Sequence, residues 1–218
     1  MKVILCDDHA LIRRGIRDTM ADAVDIEVIG EAGDYGELRT LLHKLGQEQP
    51  NQPPCDVLVL DINMPGRSGL DVLHVLKDDG AQIRTLIVSM YPEDQYAIRA
   101  LRAGAFGYVN KGGDPQVLVQ AVRTVAQGRK YVTPEIAQML VESLTAPTTE
   151  QAHQKLSDRE LQTLVMIASG KRLSDIAEEL MLSPKTVSVY RARVLEKLGL
   201  ANNSELTVYA IRNGLVES

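Results

Sequence analysis

The chain has 218 residues, room for two ordinary domains, and its 44% hydrophobic and 24% charged residues exclude a disordered or collagen-like polymer. No apolar run approaches the roughly 18 residues of a membrane span, and Met1 leads straight into the strand-like KVILC, so a soluble cytoplasmic chain without signal peptide is expected. The formal charge of −5 is uneven: residues 1–127 carry 13 Lys+Arg against 18 Asp+Glu, residues 154–218 carry 9 against 8, so the acidity of the first part does not exclude a DNA-binding face in the second.

In chain order, KVILC (2–6) precedes an amphipathic stretch at 9–22, IEVIGEA (26–32) precedes 35–46, and DVLVLD (56–61) precedes 68–79. RTLIVS (84–89) then precedes 94–103, and FGYV (106–109) precedes 114–127. Five short, nearly continuous apolar strands separated by five helices predict a doubly wound α/β domain, a five-stranded parallel sheet covered on both faces. Its ligand site belongs outside the carboxyl ends of the strands. Cys6 in the first strand and Cys55 in a Pro-rich turn form no disulfide framework, and His9, His43, His74 and His153 lack cysteine neighbours at zinc-ligand spacing, which predicts free thiols and solvated or packed histidines. GQEQPNQPP before the third strand predicts an enlarged surface loop.

Residues 128–153 read as a linker: Thr133-Pro134 opens a helix to Leu144, and the polar TAPTTEQAHQ follows. From 154 to 218 the pattern is wholly helical, predicting a small all-α domain of four helices. Ser157-Asp158-Arg159-Glu160 has capping-box form and Gly170 suits a C-terminal cap. Ser174 is expected to cap the second helix, Ser183-Pro184 starts the third, and Asn203 or Ser204 starts the fourth, ending near Gly214.

Three carboxylates fall at strand ends, Asp7 and Asp8 after the first and Asp61 after the third, where they should converge. Like charges held together raise one another's pKa or require a cation, and an oxygen-rich site suits Mg²⁺. Lys111 after the fifth strand adds a positive charge and Ser89 at the end of the fourth a hydroxyl. An Asp pair alone is as consistent with a turn or helix cap. The five positions together form a minimal phosphoryl-transfer site that places an acyl phosphate on one aspartate.

CDDHALIRRG, LVLDINMPGRSGLDVL, LIVSM and AGAFGYVNK resemble the receiver domains of two-component response regulators, over residues 1–127. The resemblance implies that Asp61 accepts phosphate from a sensor histidine kinase. It implies that Asp8, Asp61 and the Asn63 backbone carbonyl hold Mg²⁺ with Asp7 acting through water, that Lys111 grips the phosphoryl group, and that Ser89 and Tyr108 form a switch. Gly112 follows Lys111 where many receivers have proline, so no cis peptide is expected. Haloacid-dehalogenase-type phosphatases also use an aspartate after a strand, but they need a second aspartate where this chain has Asn63, and a cap domain. A slow loss of its own phosphate is the only expected hydrolysis. A receiver serving merely as a dimerisation module, never phosphorylated, is the other alternative.

In the third C-terminal helix, Val187, Tyr190, Val194 and Leu198 recur at helical spacing and mark a packing face. The opposite face centres on Lys185, Val189, Ala192 and Glu196, flanked by Ser188 and Arg193. The segment from Leu156 to Leu215 resembles the helix-turn-helix of the LuxR/FixJ (NarL) group, and its SPKTVSVYRARVLEKL is similar in wording to regulators of the GacA/UvrY or BvgA kind. The resemblance implies promoter DNA as partner, and the outer face of the helix is expected to bring Lys185, Thr186, Ser188, Val189, Arg191, Ala192 and Arg193 to it. It also implies a homodimer paired on DNA through 204–213 and in solution through receiver helices. Relatives commonly carry lysine where this chain has Ser188 and Ala192, so their base contacts do not transfer.

Overall fold

The computed structural model describes residues 1–49, 52–145 and 152–216. The chain divides into two compact units, Met1–Thr145 and Ala146–Ser218.

The first unit runs β1 (Lys2–Cys6), α1 (Ala10–Ala21), β2 (Glu27–Ala32), α2 (Tyr35–Glu48), β3 (Val57–Asp61), α3 (Gly69–Asp78), β4 (Thr85–Ser89), α4 (Glu93–Ala103), β5 (Gly107–Asn110), α5 (Pro115–Ala126) and α6 (Pro134–Thr145). Every strand lies within one residue of its sequence expectation. All pairings are parallel, in the order β2-β1-β3-β4-β5. In β1, β3 and β4 the apolar runs are continuous because both faces are covered, whereas the edge strand β2 exposes Glu27 and Glu31. Val3, Leu5, Val57, Val59, Leu86, Val88 and Val109 pack in one cluster with Met20 of α1 and Leu118, Val119, Val122 and Val125 of α5. The alternate residues Ile4, Leu58, Leu60 and Ile87 are equally buried and point to the other face.

Strand order reverses between β1 and β3, so the carboxyl ends of these two neighbours open on the crevice where such sheets bind ligands. A tight approach holds β3 there. Ser68 caps α3 in a capping box with Asp71, and a Cβ on Gly69 would stand 2.1 Å from the Asp61 carbonyl oxygen. Because the obstacle is backbone, Gly69→Ala should cost about 1–3 kcal/mol, read as a lower urea midpoint. An unchanged midpoint would mean that α3 retreats freely.

The segment expected as linker begins differently. Tyr131 N donates to Phe106 O (2.7 Å) and forms a parallel bridge with Gly107, the Thr133 hydroxyl lies 3.3 Å from Glu93 Oε2, and Ile136 of α6 is fully buried. Residues 128–145 therefore belong to the first unit, with α6 packed against α4. Most of TAPTTEQAHQ, like residues 50 and 51 of the long loop before β3, lies outside the described residues. No peptide bond among the described residues is cis, and no described helix is long and apolar enough to cross a membrane.

The second unit contains a 3-10 turn (Ala152–Lys155), which the sequence pattern does not announce, then α7 (Asp158–Ala168), α8 (Leu173–Glu179), α9 (Pro184–Leu198) and α10 (Asn203–Arg212). One helix start, that of α8, differs from expectation, while α10 begins at Asn203 as expected. The Ile176 N to Arg172 O bond (3.0 Å) already closes the first turn of α8, leaving Ser174 inside the helix with its hydroxyl on Asp175. α10 is capped by Asn202, because Glu205 stands three residues later: Glu205 N donates to Asn202 Oδ1 (3.0 Å), and the Glu205 carboxylate reaches back to Ala201 N (2.8 Å).

The Ser157 capping box extends into the core. Glu160 Oε2 accepts from Ser157 N (2.7 Å) and from Lys197 Nζ of α9 (2.6 Å). Burial raises the Glu160 carboxyl, but the bonds from Lys197 and Ser157 outweigh it and hold the group below the ordinary glutamate range. A depressed carboxyl stabilises the fold above its unfolded pKa, and that stabilisation fades as pH falls through the folded value. Glu160→Gln should cost about 1–2 kcal/mol at neutral pH, with the gap from wild type closing in acid. A constant gap down to low pH would locate the cost elsewhere than in the charge.

Candidate functional site

Asp7 and Asp61 are 3% and 2% exposed, at the ends of adjacent strands, and both face Lys111 from the β5–α5 turn. Lys111 Nζ lies 2.7 Å from Asp7 Oδ2 and 2.8 Å from Asp61 Oδ2. Strand geometry sets this meeting, since Lys111 N donates to the carbonyl of Ser89 at the end of β4 (2.9 Å). Asp8 is less buried, with Oδ1 2.7 Å from His9 Nδ1. Burial pushes the Asp61 carboxyl up to about 6, with Lys111 pulling it down and Asp7 pushing it up. The nucleophile expected from sequence is thus a carboxylate whose charge is poorly compensated.

That imbalance fits a cation. Three carboxylates gather around one ammonium, which pairs with Asp7 and Asp61, and among the described residues the buried Asp61 carboxylate is further stabilised only by the Asn63 backbone. Donor atoms of Asp7, Asp8, His9 and Asp61 all lie within 4.8 Å of one another. A mainly carboxylate set of this size suits a hard divalent ion. Asn63 is half-buried in the turn directly after Asp61.

Ser89 is buried at the end of β4, with its hydroxyl accepting from Tyr91 N (3.3 Å). Tyr108 is fully buried, its hydroxyl donating to Tyr91 O (2.7 Å), so its ring points inward. Burial raises its phenol well above the ordinary tyrosine range. Two neighbours of the site escape the sequence reading. His9 stands among the carboxylates rather than alone in solvent, and Arg13 donates to Asp7 O while pairing with Glu31 (3.1 Å). His9 is the cap of α1 and Arg13 ends its first turn, positions too general to mark in a sequence.

In the second unit α9 presents two unlike faces. Val187 and Val194 are fully buried, and Tyr190 and Leu198 half-buried, whereas Lys185, Ser188, Val189, Ala192, Arg193 and Glu196 are exposed. Thr186 is half-buried and belongs to the cap: its N–H donates to Ser183 Oγ (3.0 Å) and its hydroxyl lies 2.8 Å from the same atom. The Ser188 hydroxyl donates to Pro184 O (2.8 Å). Arg191 sits at the packing edge with Nε on Asn203 Oδ1 of α10 (2.6 Å), a bond that competes with any reach towards a phosphate.

Two family models match the chain: the response regulator receiver domain over residues 3–123 and the bacterial regulatory proteins of the luxR family over residues 154–210. Response regulator GacA of Pseudomonas protegens is 37% identical over 218 residues, covering 100% of this chain and 99% of the relative. Response regulator UvrY of Escherichia coli K12 is 38% identical over 216 residues, covering 99% and 95%. Among solved structures, RcsB of Salmonella enterica serovar Typhimurium, bound to promoter rprA with the phosphomimetic BeF3-, has a TM-score of 0.63 at 27% identity, over 96% of this chain and 97% of that one. An acidic receiver pocket, an amphipathic helix-turn-helix and relatives matched end to end agree: the chain belongs to the two-component response regulators that join a receiver domain to a LuxR-type DNA-binding domain.

Proposed function

We propose that Asp61 is the phosphoacceptor and that its phosphorylation, by the phosphohistidine of a sensor kinase, controls binding of the second domain to promoter DNA in the cytoplasm. The observation that carries this is the buried Asp61 carboxylate, held 2.8 Å from Lys111 and within reach of the Asp7 and Asp8 carboxylates, with its carboxyl pushed up to about 6. A carboxylate oxygen of Asp61 attacks phosphorus. The P–N bond breaks, and its electron pair leaves on the imidazole nitrogen, which takes up a proton. With acetyl phosphate the leaving group is acetate. Lys111 neutralises a phosphoryl oxygen as charge shifts. Asp8, Asp61 and the Asn63 carbonyl would hold Mg²⁺, with Asp7 acting through water, and the metal supplies further compensation for phosphoryl and carboxylate charge. Slow attack of water on the acyl phosphate returns Asp61 and phosphate, so the protein is a switch rather than an enzyme.

Two states are needed for such a switch, and phosphate must interact with them differently. Ser89 and Tyr108, next to Asp61 along the sheet edge, supply that difference. The DNA face is the exposed side of α9: Lys185, Arg193 and Arg191 towards phosphates, and Ser188, Val189 and Ala192, with Thr186 at the rim, towards the groove. A small helix-turn-helix reads few base pairs, so a homodimer on half-sites about one helical turn apart supplies affinity and specificity. The structure of two RcsB dimers bound to two parallel DNAs supports a dimer on DNA for the present chain by likeness. Functionally, residues 1–127 receive phosphate, 128–153 transmit and 154–218 bind DNA. Acetyl phosphate with Mg²⁺ should tighten DNA binding of the full-length protein by about 5- to 150-fold and raise its sedimentation mass to a dimer. Equal affinity and mass for both forms would favour the module that is never phosphorylated.

A further inference from the structure

We propose that Asn110 is a positioning residue whose single amide ties the turn carrying Lys111 to the loop carrying the switch. The inference rests on Asp61 as phosphoacceptor. Tyr108 and Asn110 are two residues apart on β5 and so share a face. Both donate to one atom, the Tyr91 carbonyl in the loop after Ser89: Tyr108 through its hydroxyl (2.7 Å) and Asn110 through Nδ2 (3.2 Å). The other end of the amide faces the opposite way along the chain. Asn110 Oδ1 accepts from Gly112 N (2.8 Å), and Asn110 O accepts from Gly113 N (3.2 Å), so the turn bearing Lys111 closes around Asn110. The first of these bonds exists because residue 112 is not proline, which would have no N–H to give. The partners also fix the orientation of the amide, since a backbone N–H must meet its oxygen and a backbone carbonyl its nitrogen.

The consequence follows from what each end holds. Tyr91 O is the acceptor that the fully buried Tyr108 hydroxyl uses when the ring is inward. By fixing that carbonyl, the Asn110 amide favours the inward ring. By fixing Gly112, it holds Lys111 against Asp61. One side chain therefore links the group that grips phosphate to the group that reports it.

The two halves separate by mutation. Asn110→Ala removes both bonds. Asn110→Ser keeps an acceptor for Gly112 N, in the short i to i+2 turn that a hydroxyl makes, but is too short to reach Tyr91 O. Full-length protein labelled with 3-fluorotyrosine, its Tyr108 signal assigned with Tyr108→Phe, is titrated with beryllium fluoride and Mg²⁺ and followed by ¹⁹F NMR. The phosphoryl half-life after acetyl phosphate is measured in parallel. Asn110→Ala should need about 2- to 10-fold more beryllium fluoride to bring the Tyr108 signal inward and should shorten the half-life by a similar factor, the range one net hydrogen bond allows. Asn110→Ser should match Asn110→Ala in the Tyr108 titration and wild type in half-life. Wild-type behaviour of both variants in both readouts overturns the inference while leaving Asp61 in place. So does a parallel loss in both readouts that Ser fails to divide, accompanied by a lower melting temperature, since that marks a merely structural residue. A wild-type protein that ignores beryllium fluoride overturns the phosphoacceptor reading and this inference with it.

Discussion

Asp61→Asn should reduce acyl-phosphate formation to background. In wild type, acetyl phosphate and Mg²⁺ should add one labile phosphate, visible by mass spectrometry and lost in mild base. The amide retains the shape of the carboxylate but not its nucleophilic oxygen. Asp7 is the nearest rival, since it shares Lys111 at 2.7 Å and is almost as buried. Its substitution by Asn should weaken labelling without abolishing it, because Asp7 contributes charge while Asp61 makes the bond. Chelation tests the remaining term. Three carboxylates and an incoming phosphoryl group cannot be balanced by Lys111 alone, so EDTA should suppress labelling nearly as fully as the substitution. Labelling of Asp61→Asn at the wild-type level would move the phosphate to another side chain, and labelling indifferent to EDTA would remove the metal from the reaction.

Lys185→Ala with Arg193→Ala should nearly eliminate specific DNA binding at physiological salt. Both side chains lie on the exposed face of α9, opposite the buried Val187 and Val194, and the second domain has little excess of positive charge to compensate for their loss. Each phosphate contact removed should lower the slope of log affinity against log salt by roughly one. The slope separates this account from misfolding, which would abolish binding without a graded change in the single variants. Ser188→Ala has a different signature: its hydroxyl is turned back on Pro184 O, so a change of base preference requires that it rotate into the groove. Wild-type affinity and slope in the double variant would place the DNA contact on another face.

Sequence and structure agree where a rule is local. Strand limits were readable because a strand buried on both faces must be apolar from end to end, and β3 stops at Asp61 where that requirement ends. The Ser157 and Ser183 caps were readable because the cap and its partner lie within three residues. The candidate pocket was legible as a list of strand-end residues, Asp7, Asp8, Asp61, Ser89 and Lys111, but not as a network. Nothing local marks Asn110 as the partner of Tyr91, nor Arg13 as a donor to Asp7 O, since these bonds depend on how turns from different strands meet. The start of α8 went astray for a related reason: its expected cap Ser174 lies inside the helix, whose first turn the Ile176 N to Arg172 O bond closes. The continuation of the first unit through α6 rests on the Tyr131 bridge to Gly107, a tertiary contact without a sequence signature.

Strand order also bears on how the protein is made. Asp7, Asp61 and Lys111 meet at neighbouring strand ends, yet Lys111 leaves the ribosome last, on the turn after the edge strand β5. While β1 and β3 already exist and β5 does not, closing that end of the sheet would bury two carboxylates without their ammonium, which strongly opposes closure. Closure of that end of the sheet therefore depends on the strand that brings Lys111, the last of the three side chains to be made.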